Sequence, residues 1–191
     1  MNTRPKLTKP SDVRAWIATQ QFLPSKVLGQ NFLIDENILR IMLEAAALNE
    51  RDRVLEVGPG LGILTEPLME RAERVVAIEK DKRLGGYLAE AFGSHPRFTL
   101  VVSDALDLDL GALVREHRLN KFVANLPYSA GSRILVECFH HAPSLERMVV
   151  TVQLEVGERL AAPAGSDDYG LLSIWAQLDY RVAVAKRISP S

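Results

Sequence analysis

Val54-Leu55-Glu56-Val57-Gly58-Pro59-Gly60-Leu61-Gly62 reads as a short, mostly apolar strand that runs into three glycines and then into a helical pattern. Glycines at a strand-to-helix turn let the chain reverse tightly and let a ligand approach the backbone. Outward from this stretch the same grammar repeats. Strands are predicted at 53–57, 74–78, 98–102, 121–124 and 147–153, with helical patterns near 62–72, 82–92, 109–117 and 130–141. Strands alternating with helices imply right-handed βαβ units and a parallel sheet with helices on both faces. Upstream, Pro10-Ser11 opens a predicted helix over 11–22. A polar, Gly-containing stretch from Pro24 to Phe32 follows, and Asp35 can cap a helix carrying Ile38, Leu39, Met42 and Leu43. Downstream, helices are predicted at 155–162 and 170–178, separated by the loop Pro163–Tyr169, and a final strand at 180–187.

Composition narrows the class. At 47% hydrophobic, the chain can fill a core without disulfides. The net charge of −1 gives no overall nucleic-acid signature. The first thirty residues differ: Arg4, Lys6, Lys9, Arg14 and Lys26 stand against Asp12. Residues 1–23 therefore read as a basic arm and helix, suited to an anionic partner or to a solvated tail. The single cysteine, Cys138, precludes an internal disulfide, and its apolar neighbours mark it as a small core residue. The His140-His141 pair lacks companion ligands at metal spacing and reads as a surface helix end, so no metal is expected. No signal peptide and no membrane-length apolar run is seen, which fits a cytoplasmic protein.

Two further acids sharpen the glycine turn. Glu79 ends the second strand about twenty residues past the first glycine, where an acid accepts hydrogen bonds from ribose hydroxyls. Asp104 follows the third strand, where a carboxylate can take the exocyclic amine of an adenine. Three consecutive strand ends thus offer backbone (Gly58, Gly60), ribose acceptor and base acceptor. A dinucleotide fingerprint wants Gly or Ala at position 63, which is Ile63. Glu56, two residues before Gly58, disfavours a pyrophosphate and suits a cationic amino-acid tail. S-adenosylmethionine fits these residues better than a nicotinamide dinucleotide.

The fourth strand ends in Asn125-Leu126-Pro127-Tyr128, on the same crevice. The Asn125 oxygen and a backbone carbonyl of Leu126 or Pro127 can accept from one planar NH2, Pro127 fixes the turn, and Tyr128 offers a stacking face. This suits an adenine N6 amine, whose lone pair is delocalised until two acceptors draw it toward a tetrahedral geometry. The protein then contributes placement and electrostatics, not covalent catalysis. Arg115, Arg118 and Lys121 read either as a phosphate-contacting rim or as a solvated face.

With Leu28-Gly29-Gln30-Asn31-Phe32-Leu33-Ile34, Glu56–Gly62, Glu79-Lys80-Asp81, Asp104-Ala105, Asn125–Tyr128 and Gln153-Leu154-Glu155-Val156, residues 24–191 resemble the rRNA adenine-N6 methyltransferase family. That family holds the bacterial 16S rRNA dimethyltransferases and the erythromycin-resistance methylases. The resemblance implies a class I methyltransferase fold, Rossmann-like α/β, with a mostly parallel seven-stranded sheet whose last strand is antiparallel. It implies cofactor contacts from Asn31, Leu33, Gly58, Glu79, Asp104 and Asn125, with the Asn31 segment closing over the cofactor and displaced without it. It implies dimethylation of two adjacent adenines near the 3′ end of 16S rRNA, in the small ribosomal subunit, by a monomer with no DNA or membrane partner. In the family a Phe/Pro-rich motif and a helical C-terminal domain follow; this chain ends before both, and is expected to be a catalytic domain without them.

Other readings are a 23S rRNA methylase of the resistance type, a DNA adenine methyltransferase, and a non-catalytic RNA-binding assembly factor. The 16S enzyme is favoured over the first by the LGQNFLID and QxEVxxR patterns. The DNA enzyme would carry an acid in place of Asn125 or a second proline in place of Leu126. The intact acids and NLPY turn argue against a relic pocket.

Overall fold

The computed structural model describes residues 35–188. Helix α1 (Glu36–Ala46) leads into β1 (Arg53–Val57), α2 (Thr65–Arg71), β2 (Arg74–Glu79), α3 (Lys82–Phe92), β3 (Phe98–Val102), α4 (Leu110–His117), β4 (Lys121–Asn125), α5 (Gly131–His141), β5 (Arg147–Thr151), α6 (Leu154–Ala161) and α7 (Leu171–Asp179). The helix expected at 11–22, and the segment with Asn31 and Leu33, lie outside the described residues.

The sheet has five strands in the order β3-β2-β1-β4-β5, and every pairing is parallel. Alternation along the strands divides the core into two layers. Leu55, Val57, Val76, Ile78, Phe122 and Ala124 pack with α4, α5, α6 and α7. Val54, Val75, Ala77 and Val123 pack with α1, α2 and α3. Both faces are covered, so the strands read as continuous apolar runs and not as alternation. Aspartates set several helix starts. The Asp35 carboxylate accepts from the amides of Asn37 and Ile38, Asp81 from Arg83, and Asp109 from Ala112, each satisfying amides that have no partner within the helix.

Two expectations are corrected. Five strands form among the described residues, not seven, and none is antiparallel. The segment at 180–187 is not a strand. Its Val182 packs against the core, but Val184 and Ile188 are exposed. A strand exists only through its ladder, and among the described residues β5 is hydrogen-bonded to β4 alone; β propensity without pairing leaves an extended segment.

The strand order reverses between β1 and β4, which are adjacent although not consecutive. The crevice outside the carboxyl ends of strands at such a switch point is where open α/β sheets bind ligands.

Candidate active site at the switch point

The β1 turn is held by its own glycines. Gly58, Gly60 and Gly62 have φ of 72°, 58° and 73°, the left-handed region that costs other residues roughly 1–2 kcal/mol. The Gly58 amide donates to the Ile78 carbonyl at 2.9 Å, anchoring the turn to β2. A Cβ on Gly58 would lie 3.6 Å from Pro127 Cδ and 3.8 Å from the Asn125 carbonyl oxygen. The glycine turn and the NLPY turn therefore lie side by side across the switch point, about a methyl group apart.

Glu79 ends β2 and is 6% exposed. Its carboxylate accepts the Gly60 amide at 3.1 Å and the Asp81 amide at 2.8 Å. Burial raises its pKa, against the pull of these amides. Each oxygen retains a further acceptor position, so the glycine loop orients the acid without exhausting it.

Glu56 is 1% exposed, and Thr65 Oγ1, at the start of α2, donates to its Oε2 at 2.7 Å. Burial, opposed by the Thr65 hydrogen bond and reinforced by the charge of Glu79, pushes its pKa up to about 8. At neutral pH this carboxyl holds a proton. A cation arriving beside it would favour the ionised form and release that proton.

Asp104 follows β3 and behaves oppositely. Lys80 Nζ lies 2.6 Å from Oδ2, and Oδ1 accepts the Leu106 amide at 3.0 Å. The Lys80 ammonium, then the Leu106 amide, hold the carboxyl below its ordinary range, with the charge of Arg133 a smaller contribution. The three acids therefore differ: one neutral, one buried and oriented by amides, one ionised. Such a set suits a nucleoside with a cationic tail better than a pyrophosphate, since the lysine beside it is bound to Asp104.

Asn125 closes β4 as the register partner of Thr151 on β5. The Thr151 hydroxyl donates to Asn125 Oδ1, and the Thr151 carbonyl accepts the Leu126 amide at 3.2 Å. The Pro127 carbonyl accepts the Ala130 and Gly131 amides at 3.1 and 2.8 Å as α5 begins. The Pro127 carbonyl is thereby engaged at the helix start, a use that the Leu126 carbonyl does not share. Leu126 is buried and Tyr128 is 48% exposed. A pocket opens between Leu126, Pro127 and Tyr128, the start of α5 at Gly131 and Ser132, and the β5–α6 junction at Val152, Gln153 and Val156.

Arg115, Arg118 and Lys121, read as either a phosphate-contacting rim or a solvated face, do not lie at the crevice. β4 runs from Lys121 to Asn125, so Lys121, and Arg118 and Arg115 before it, lie at the opposite end of the sheet. Lys121 is 9% exposed, with Nζ 4.0 Å from Asp52 and 3.8 Å from Glu146. Besides Lys80, paired with Asp104, Arg133 lies near the crevice, exposed on the first turn of α5. Its signal in the sequence was its place, five residues past Tyr128. Thr65 and Thr151 were also missed.

Cys138 is fully buried, its thiol pushed up to about 12 by burial, in keeping with a core role. His140 packs against Trp175 with ring centroids 3.7 Å apart and planes tilted by 54°, and His141 Nε2 lies 3.6 Å from Glu137.

Comparison with known proteins gives a consistent picture. The profile of a family described as ribosomal RNA adenine dimethylase matches residues 22–190. A protein named ribosomal RNA small subunit methyltransferase A from Ligilactobacillus salivarius is 41% identical over 188 residues, covering 96% of this chain and 64% of the relative. One of the same name from Deinococcus radiodurans is 45% identical over 172 residues, covering 90% of this chain and 57% of the relative. This chain thus spans about two thirds or less of these relatives. Among solved structures, a dimethyladenosine transferase from Plasmodium falciparum superposes with a TM-score of 0.66 at 27% identity, over 75% of this chain and 51% of that one. The 23S rRNA methyltransferase ErmE gives a TM-score of 0.57 at 32% identity, over 71% and 53%.

Proposed function

Because this chain belongs to the ribosomal RNA adenine dimethylase family, we propose that residues 24–191 are the catalytic domain of an S-adenosylmethionine-dependent methyltransferase. The domain dimethylates the N6 amines of two adjacent adenines near the 3′ end of 16S rRNA in the small ribosomal subunit. The observation that carries the reading is the closeness of Gly58 to the NLPY turn, such that a Cβ added there would touch Pro127 and the Asn125 carbonyl. A cofactor seated over the glycines abuts the turn whose two acceptors suit an amine. The relatives named for the small-subunit RNA support the choice of substrate.

In this reading Glu56 faces the cofactor's cationic tail, Gly58 and Gly60 approach its backbone-facing edge, Glu79 accepts from its ribose and Asp104 from its base, with Asn31 and Leu33 completing the contacts. In the first transfer Asn125 Oδ1 and the Leu126 carbonyl accept the two N6 hydrogens and localise the nitrogen lone pair; in the second, one of them accepts the single hydrogen that the monomethylated amine retains. Tyr128 stacks on the target base. Pro127 keeps both acceptors on one side. When bound, the cofactor supplies a sulfonium methyl: the N6 lone pair forms the N–C bond as the C–S bond breaks with its electrons on sulfur, and the N6 proton leaves to water. Placement and fixed acceptors provide the acceleration. The domain acts in the cytoplasm as a monomer, with no DNA or membrane partner. No helix of the described residues is long and apolar enough to cross a membrane.

One observation favours a second reading as a 23S rRNA methylase, the 32% identity to ErmE. Both are tested by incubating the chain with labelled S-adenosylmethionine, small subunits lacking the modification, and unmodified 23S rRNA. Label in dimethyladenosine at two adjacent 16S positions is the expected result. Label confined to 23S rRNA would select the second reading, and no transfer by a chain that binds the cofactor would overturn both.

A further inference from the structure

Thr151 ends β5 directly beside Asn125, its register partner on β4. It makes two contacts to the turn that carries the acceptors. Its hydroxyl donates to Asn125 Oδ1, and its carbonyl accepts the Leu126 amide. Neither contact is implied by the NLPY motif itself, because both come from the neighbouring strand.

The chemistry gives the hydroxyl a consequence. A terminal amide has an oxygen that accepts and a nitrogen that donates, nearly equal in size. Only the oxygen can accept from an adenine N6 amine. An Asn125 amide turned over would present two donors to a donor. A hydroxyl donating to Oδ1 anchors the amide beside β5; because a hydroxyl also accepts, what it fixes is the place of the side chain. Thr151 is β-branched and so restricted at χ1, which steadies the hydroxyl. The backbone contact also fixes the Leu126 peptide, from which the second acceptor follows.

We propose that Thr151 is a positioning residue for methyl transfer, anchoring the Asn125 side-chain amide and holding the Leu126 peptide beside it. The proposal rests on the reading of Asn125 and Leu126 as the acceptors of that amine. Thr151 touches neither cofactor nor reacting atoms and acts through Asn125.

The test compares the wild-type chain with Thr151→Val, which keeps the shape and loses the hydroxyl, and Thr151→Ser, which keeps the hydroxyl. Single-turnover transfer to small-subunit rRNA is measured with RNA half-saturation, cofactor Kd and melting temperature. Loss of one net hydrogen bond predicts a rate lower by roughly three- to ten-fold in Thr151→Val, with half-saturation and cofactor Kd unchanged within about two-fold. Thr151→Ser is expected to recover most of the rate. In Thr151→Val the Asn125 side-chain amide resonances should also shift, as the amide loses its hydroxyl partner. An equal rate in wild type and Thr151→Val would overturn the proposal alone. Parallel loss of stability, cofactor affinity and rate without rescue by Thr151→Ser would also overturn it, assigning Thr151 to packing. A wild-type chain that transfers no methyl group would overturn the functional reading and the proposal with it.

Discussion

Replacing Glu56 by Gln should make the protein more stable in alkali while weakening its cofactor site. Glu56 is 1% exposed, and its pKa lies at about 8 against an ordinary value of 4.5. Between these two values the native state holds a proton that the unfolded chain has released. Stability therefore falls as pH rises through that window, and the loss is complete above the folded pKa. At about 1.4 kcal/mol per pH unit, the displacement corresponds to an upper bound of about 5 kcal/mol. Water penetration and relaxation will reduce it to a few kcal/mol. Gln keeps the volume and can still accept from Thr65 Oγ1 through its amide oxygen, but it has no proton to lose. Urea unfolding at about pH 5 and about pH 8.5 should show the variant gaining on wild type by several kcal/mol at the higher pH. Calorimetry at neutral pH in buffers of differing ionisation enthalpy should show proton release from wild type on binding S-adenosylmethionine, and less from the variant, with weaker binding. Parallel stability profiles in the two proteins, within about 0.5 kcal/mol at both pH values, would refute the assignment of Glu56 as a buried neutral carboxyl.

Further outcomes follow from the acids and the rim. Glu79→Ala removes the carboxylate that binds the Gly60 and Asp81 amides, so cofactor affinity should fall by roughly 100-fold, about two hydrogen bonds to a charged group, and methylation should be lost while RNA binding persists. A filter-binding assay that shows RNA affinity collapsing along with it would count against the site assignment. Arg133→Ala should weaken RNA binding and lower the slope of log affinity against log salt by roughly 0.7–0.9, whereas Arg115→Ala, at the far end of the sheet, should leave the slope unchanged. Equal effects of the two arginines would place the RNA elsewhere.

Much of the sheet was legible because both its faces are buried. Five apolar runs fell within a residue or two of β1 to β5, and the glycines after β1 announced the turn. The final strand was not legible, because Val182 and Val184 carry the right propensity but pairing depends on a neighbour that local sequence cannot show. The positions of Glu56, Glu79, Asp104 and Asn125 at strand ends were readable from spacing. Their states were not. That Glu56 is neutral comes from its depth and from Thr65, and that Asp104 is ionised comes largely from Lys80, distant in sequence. Lys121 stands near Asn125 in the chain but not in space. Four residues of extended strand separate them by roughly 13 Å, which is enough to put one at the crevice and the other among Asp52 and Glu146. Threonines inside or beside regular elements, such as Thr65 and Thr151, look like ordinary strand or helix residues until their hydroxyl partners are known.

The central claim is that the turn from Asn125 to Tyr128 presents an adenine N6 amine to a methyl donor seated over Gly58. Single-turnover methylation of small-subunit rRNA by wild type and Asn125→Ala, with cofactor Kd measured in parallel, tests it most directly. The account predicts dimethyladenosine from wild type and a rate at least about 100-fold lower in the variant, with a much smaller change in cofactor affinity. A variant that methylates at the wild-type rate would contradict it.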